Sequence, residues 1–278
     1  MSRARSARGG RAERSRVPHG IAVAAVHLRV NILNELQYRS NFFLQIFQTV
    51  LMTTNGVLIV ALVYSKVDDL NGWRRSELLV AVGVFTMVGG IMRAFIQPAV
   101  TGMTDDVEEG TFDFVLTKPV DAQLLMSVRR VEIWQLADVV VGVLIVAVAA
   151  PSLPAGLDIG KFLAFVALFG AGAVIAYSMW VAIACAVFWV VKLPYLDNFF
   201  FYIARAAQFP ISIYPTWLRI SLTTVIPLGI AVSAPAQAIT SRLTWTTVAT
   251  VFAVMIAFVA LSRALWRKGL RTYTGASS

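Results

Sequence analysis

Three ionisable side chains sit inside long apolar stretches of this sequence: Arg93, Asp138 and Arg205. A charge in hydrocarbon is costly, so such groups pair with one another or line a path for a substrate or ion. A structural ion pair is the commoner use. Counted from Val131, Asp138 lies ~10 Å along its stretch; counted from Leu196, Arg205 lies ~13 Å along its own, at 1.5 Å per helical residue. The matching depth predicts a pair between Asp138 and Arg205. Arg93 is the rival partner, placed closer to a membrane surface where its side chain can reach headgroups. Beyond these three the chemical inventory is poor. The two histidines, His19 and His27, precede the first long apolar stretch, and Cys185 has no second cysteine. No metal-ligand spacing and no serine–histidine nucleophile can be assembled, so neither a catalytic residue nor a metal site is predicted. Cys185 reads as a small buried hydrophobe.

The elements that must carry these groups follow from composition. Apolar residues make up 58% of the 278 and charged residues 14%, against roughly 45–50% and 25% in soluble domains. The runs from Phe42 to Tyr64, Phe162 to Val191 and Leu243 to Ser262 contain no charge. Each reaches the ~20 residues that a helix needs to cross a bilayer core. The prediction is an all-α polytopic membrane protein with six transmembrane helices. The spans are expected over 42–64, 77–97 (stopping at Pro98), 131–150, 162–191, 196–215 and 243–265. The fourth run is too long for an upright span and too short for two, so one tilted or protruding helix is expected.

Ahead of the spans, residues 1–19 read as a disordered tail with no cleaved signal. Residues 20–39 have the periodicity of an interfacial helix, with Ile21, Ala25, Leu28, Ile32 and Leu36 on one face. Residues 20–270 form a single transmembrane domain, and 271–278 are a second tail. Between the fifth and sixth spans, residues 216–241 lack charge apart from Arg219 and are interrupted by Pro227, Gly229 and Pro235. Two full spans cannot turn on one residue, which predicts a re-entrant hairpin buried by protein.

The net charge of +9 belongs to the flanks of the spans rather than to a nucleic-acid surface. With six spans, 17 of the 24 Lys and Arg fall on the side of the two termini and six on the other. The positive-inside rule then puts both termini in the cytoplasm.

The polar stretch TDDVEEGTFDFVLTKPVDAQLLMSVRR, residues 104–130, lies between the second and third spans. Gly110 breaks the chain, and Thr111 can cap a short helix with Asp113 in its first turn. Phe112, Val115 and Leu116 give it an apolar face, and Pro119 ends it. A solvated loop is the plain alternative.

Here the sequence resembles the ABC-2 type permeases, in particular a bacterial subgroup of them. The run Glu109-Gly110-Thr111 with Asp113, Leu116, Thr117, Pro119 and Val120 matches the motif these proteins carry between their second and third spans. The stretch FPISIYPTWLRISLTTVIPLGIAVSAPAQAI, with Pro210, Pro215, Trp217, Pro227 and Pro235, is similar to their segment before the last span. The resemblance extends over roughly 25–270. It implies the permease subunit of an ATP-driven exporter in a bacterial inner membrane. Residues 105–119 would be the coupling helix, with Asp105, Glu108, Glu109, Gly110, Thr111, Asp113, Phe114, Lys118 and Pro119 as its contact set. Two copies of a separate ATPase would bind ATP and Mg, and a second permease, identical or homologous, would complete the complex. The chain has no G-x-x-x-x-G-K-[ST] loop of its own, so it binds no nucleotide cofactor by that means. An ion-coupled secondary transporter is the main alternative, but it calls for more intramembrane acids and an inverted repeat. An intramembrane enzyme calls for a cluster of polar groups at one depth.

Overall fold

The computed structural model describes residues 39–67, 72–118, 120–154, 156–190 and 210–273, together with 29, 30, 33 and 70. Most of the expected interfacial helix and of the expected span 196–215, and Arg205 and Pro119, lie outside the described residues.

The chain is an all-α polytopic membrane protein, and no β-strand occurs among the described residues. Helix α1 is Arg39–Val63. Helix α2 runs Arg75–Glu108, unbroken for 34 residues. Two short helices follow, α3 (Asp113–Leu116) and α4 (Ala122–Arg129). Helix α5 is Leu136–Ala149, with a 3-10 turn at each end. Helix α6 is Ile159–Ala184, prolonged by the 3-10 turn Cys185–Phe188. Helices α7 (Thr216–Thr224) and α8 (Leu228–Ile239) meet at 97°. Helix α9 is Trp245–Thr272, longer than the expected 243–265. Five of these helices are long and apolar enough to cross a membrane.

Helix α2 does not stop at Pro98, and its backbone shows why. Proline has no N–H to give to the carbonyl four residues back, which here is Ala94. That carbonyl accepts from the Glu132 backbone N–H instead, at 2.9 Å. A π turn, Met92–Ile96, precedes the proline and absorbs the misfit. The helix therefore continues three turns past the membrane stretch, and the start of α5 is bonded to it.

Helix α6 lies centrally, packed against α8 and α9, while α2 packs against α5, α8 and α1. Small residues set the closest approaches, as expected where lipid supplies no hydrophobic drive between helices. A Cβ on Gly142 of α5 would lie 2.5 Å from the Gly83 carbonyl of α2. In α8, Pro235 leaves the Ala231 carbonyl without its helical donor. The α6 backbone approaches that carbonyl at Gly172, where a Cβ would lie 2.6 Å from it.

The bundle has two recognisable ends. At one, Phe112 meets the end of α6 through Phe188 and the end of α9 through Trp266 and Tyr273. Phe42, near the start of α1, packs against Trp134 at the same end, 5.3 Å between ring centroids and with the rings tilted by 57°. At the other, Trp73 donates to Ser212 (2.8 Å) and receives the Arg242 guanidinium over its ring at 4.9 Å. The start of α1 and the finish of α9 thus share the Phe112 end.

Candidate functional site

The segment between α2 and α5 is built as a rigid projection. Helix α2 finishes at Glu108, so Asp105 and Glu108 belong to it and not to the short helix expected over 105–119. Gly110 then turns the chain at φ +71°, a conformation that costs glycine little. Thr111 does not cap α3. Its hydroxyl donates back to the Asp106 carbonyl and carboxylate, both at 3.4 Å. Helix α3 spans only Asp113–Leu116, and Lys118 lies just beyond it.

What holds this turn is charge pairing with the next helix. Asp106 is buried and ion-paired with Arg129, and its second oxygen lies 3.9 Å from Arg130. Arg130 also bonds Asp105 at 2.7 Å. The Phe112 N–H donates to the Asp106 carbonyl at 2.9 Å. Phe112 itself is fully buried, its ring 5.8 Å from Phe188, 6.2 Å from Trp266 and 5.6 Å from Tyr273. Such edge-to-face contacts each add about 1 kcal/mol beyond simple burial.

The same helix that buries Phe112 and Val115 turns Phe114 outward, 72% exposed, with Leu116 beside it. Glu108 and Glu109 are exposed as well. Helix α3 therefore presents an aromatic and an aliphatic side chain, with acids near them, on a base tied to α2, α4, α6 and α9.

Helix α4 was not anticipated from the sequence. Asp121 caps it, accepting from the Gln123 and Leu124 N–H groups at 3.0 and 3.2 Å. Arg263 of α9 pairs with Asp121 and donates to Gln123 at 2.7 Å. The Arg263 hydrogen bond is the largest influence on the Asp121 carboxyl. It outweighs burial, the next largest, and with the Leu124 and Gln123 N–H groups and the Arg263 charge holds the group below the usual aspartate value. Ser127 of α4 meets the Tyr177 hydroxyl of α6 at 2.6 Å.

Inside the bundle, Asp138 is 2% exposed and its carboxylate is shared between two helices. Arg93, in the π turn of α2, donates to it through Nε at 3.0 Å and through a second guanidinium nitrogen. Thr49 of α1 donates to its other oxygen, and Gln45 donates to Thr49 at 3.3 Å. The expected partner, Arg205, falls outside the described residues. Arg93, the rival partner, is carried by the π turn on the face of α2 that meets α5 and is paired with Asp138. Thr49 and Gln45 went unremarked in the sequence, although two polar groups at i and i+4 in an apolar run are a readable signal.

At the Trp73 end, Glu77 is buried and accepts from Arg242 at 2.7 and 3.0 Å and from the Arg74 N–H at 2.8 Å. Arg242 also donates to the Gly72 carbonyl. Both flanks of the α7–α8 pair, Ser212 before it and Arg242 after it, are thereby bonded to one turn, residues 72–77. Pro215 precedes α7, the exposed Trp217 lies in its first turn, Pro227 stands at the bend, and Pro235 is buried within α8.

Among the described residues no group of histidine, cysteine or acidic side chains is placed to hold a metal ion. Compared with known proteins, the chain matches one family profile, described as ABC-2 family transporter protein, over residues 50–277. No curated protein and no solved structure matches it. The match takes in every helix from the second half of α1 to the end of α9, and the chain belongs to the ABC-2 transporter family, as a multi-pass permease subunit of an ABC transporter.

Proposed function

We propose that this chain is the membrane half of an exporter, and that α3 is the point at which a separate ATPase pushes on it. The observation that carries this reading is the pairing of Phe112 with Phe114. One ring is sunk among Phe188, Trp266 and Tyr273, and the other, two residues on, stands exposed. A knob anchored to two helix ends transmits a displacement instead of folding under it, since packed interiors are nearly incompressible. Force applied at Phe114 and Leu116 passes through Phe112 to α6 and α9, and through Asp106 with Arg129 and Arg130 to α2 and α4.

In this reading the Phe112 end faces the cytoplasm, which agrees with the excess of Lys and Arg on that side. Two ATPase subunits, carrying the ATP and Mg, would close against two permeases, identical or homologous, in a bacterial cytoplasmic membrane. The α7–α8 pair would enter from the Trp73 side and return to it, because both of its flanks are bonded to the same turn. Beyond the 97° bend, Pro227 and nearly all of α8 are buried in the protein, while Thr224 and Val225 before it are exposed. The 105–118 set acts as a docking surface with Phe114 at its centre and Glu108, Glu109, Asp113 and Lys118 around it.

The test is co-purification with an ATPase encoded beside this gene. Phe114→Ala, or charge reversal at Glu109 and Asp113, is expected to lower recovery of the ATPase at least tenfold. Membrane insertion of the permease should stay unchanged. Full recovery of the ATPase with those variants contradicts the reading.

A further inference from the structure

A groove between α1, α2 and α5 at the Trp73 end opens away from the bundle and plays no part in the coupling reading. It encloses about 680 Å³, inside the ~300–1,000 Å³ range of small-molecule sites. Its walls are Val57 of α1, Leu79 of α2, and Val141 and Ile145 of α5; Arg74 and Arg75 stand at its mouth. From Ser152 at the mouth to Val141 is eleven residues along α5 and its 3-10 turn, or ~16 Å at helical rise, the depth of one leaflet of a ~30 Å hydrocarbon core.

A slot one leaflet deep, with apolar walls and two guanidinium groups at its rim, fits one kind of molecule. The acyl chain goes against the walls, and a phosphate meets the arginines, which bind it with paired, charge-assisted hydrogen bonds. Neither arginine is ion-paired with a described carboxylate, and Glu77, close by in sequence, is engaged by Arg242. We propose that this groove is a binding site for an anionic glycerophospholipid of the leaflet at the Trp73 end. The proposal goes beyond the transport reading and does not depend on it. The lipid has structural work there, because α1 packs against α2 and α5 and is exposed along much of its length. A molecule wedged among the three helices holds α1 to the bundle.

The test is native mass spectrometry on the full chain in mild detergent, with phosphatidylglycerol or phosphatidylcholine of the same acyl chains added. The parent protein is expected to retain one phosphatidylglycerol per chain, at least tenfold in preference to phosphatidylcholine. Its melting midpoint should rise with the anionic lipid only. Arg74→Gln with Arg75→Gln should abolish the preference and the shift. Val141→Trp narrows the slot with both arginines in place and should lower occupancy by a similar factor, so the test does not depend on one variant folding. Arg219→Gln removes an exposed cation outside the groove and should change neither readout. Equal retention of the two lipids by the parent, undiminished phosphatidylglycerol on the double arginine variant or on Val141→Trp, or an equal loss with Arg219→Gln would each overturn the proposal.

Discussion

Asp138 shows how little a charged residue's position in the sequence says about its partner. Depth, the only coordinate the sequence offered, pointed to Arg205, which lies outside the described residues, while Arg93, expected nearer the surface, is paired with Asp138. The choice of partner depends on which face of α2 carries Arg93, and that is set by the π turn at Met92–Ile96. A π turn leaves no mark in hydrophobic periodicity at this length. With Asp138 buried between Arg93 and Thr49, removing the guanidinium strands a carboxylate in the bundle, at a cost on the order of 3–5 kcal/mol. Arg93→Gln and Asp138→Asn should each lower thermal stability in detergent, and the double variant should recover part of the loss. Thr49→Val should cost about 1–2 kcal/mol and couple to Asp138→Asn, since it removes a hydrogen bond to the same carboxylate. A cycle that proves additive removes the network.

A second prediction at this scale concerns pH. The Asp121 carboxyl titrates below the ordinary 3.8 because Arg263 and the α4 backbone hold its charged form. A carboxyl whose folded value is depressed stabilises the fold above its unfolded value, and that contribution disappears as pH falls through the lower folded one. The stability gap between the parent and Asp121→Asn should therefore be constant from neutral pH down to about 4 and close below it. A gap that widens as the solution is made more acid would mean the sign is wrong.

Among the elements, long apolar helices were legible and short polar ones were not. Helices α1, α6 and α9 overlap the three uncharged runs of bilayer length, and α5 overlaps the apolar stretch that carries Asp138. Helix α4 was missed because its eight residues, AQLLMSVR, are too few for a periodic signal. The Asp105-Asp106 and Arg129-Arg130 dipeptides at either end of the polar stretch were a readable hint of the clasp that closes it. The stop expected at Pro98 failed because proline breaks a helix only where the stranded carbonyl finds no other donor, and Glu132 supplies one. Helix contacts had no sequence signal beyond the glycines themselves. Gly142→Leu drives a side chain into the α2 backbone at Gly83 and should destabilise by about 1–3 kcal/mol, more if the two helices separate. An unaltered melting temperature would mean that α2 and α5 do not meet there.

At the level of the whole molecule, the two ends of the bundle are held by different chemistry. The Phe112 end is an aromatic cluster under an acid–arginine clasp; the Trp73 end gathers the α7–α8 flanks on Glu77 and Trp73. That division fits a device pushed at one end and opened at the other. It predicts that cysteines replacing Arg219 and Thr246, in a Cys185→Ser background, both react with an impermeant thiol reagent added outside intact cells. Reaction of one from outside and the other only from inside would make the α7–α8 pair a full crossing. The central claim, that α3 seats an ATPase on the cytoplasmic side, is tested most directly by Phe114→Cys in the same background with a short bifunctional thiol reagent. The account predicts a single cross-linked product with the co-expressed ATPase, altered in yield by ATP, and no labelling of Cys at 114 from outside. Labelling from outside, or no product with an ATPase that otherwise assembles with the permease, would contradict it.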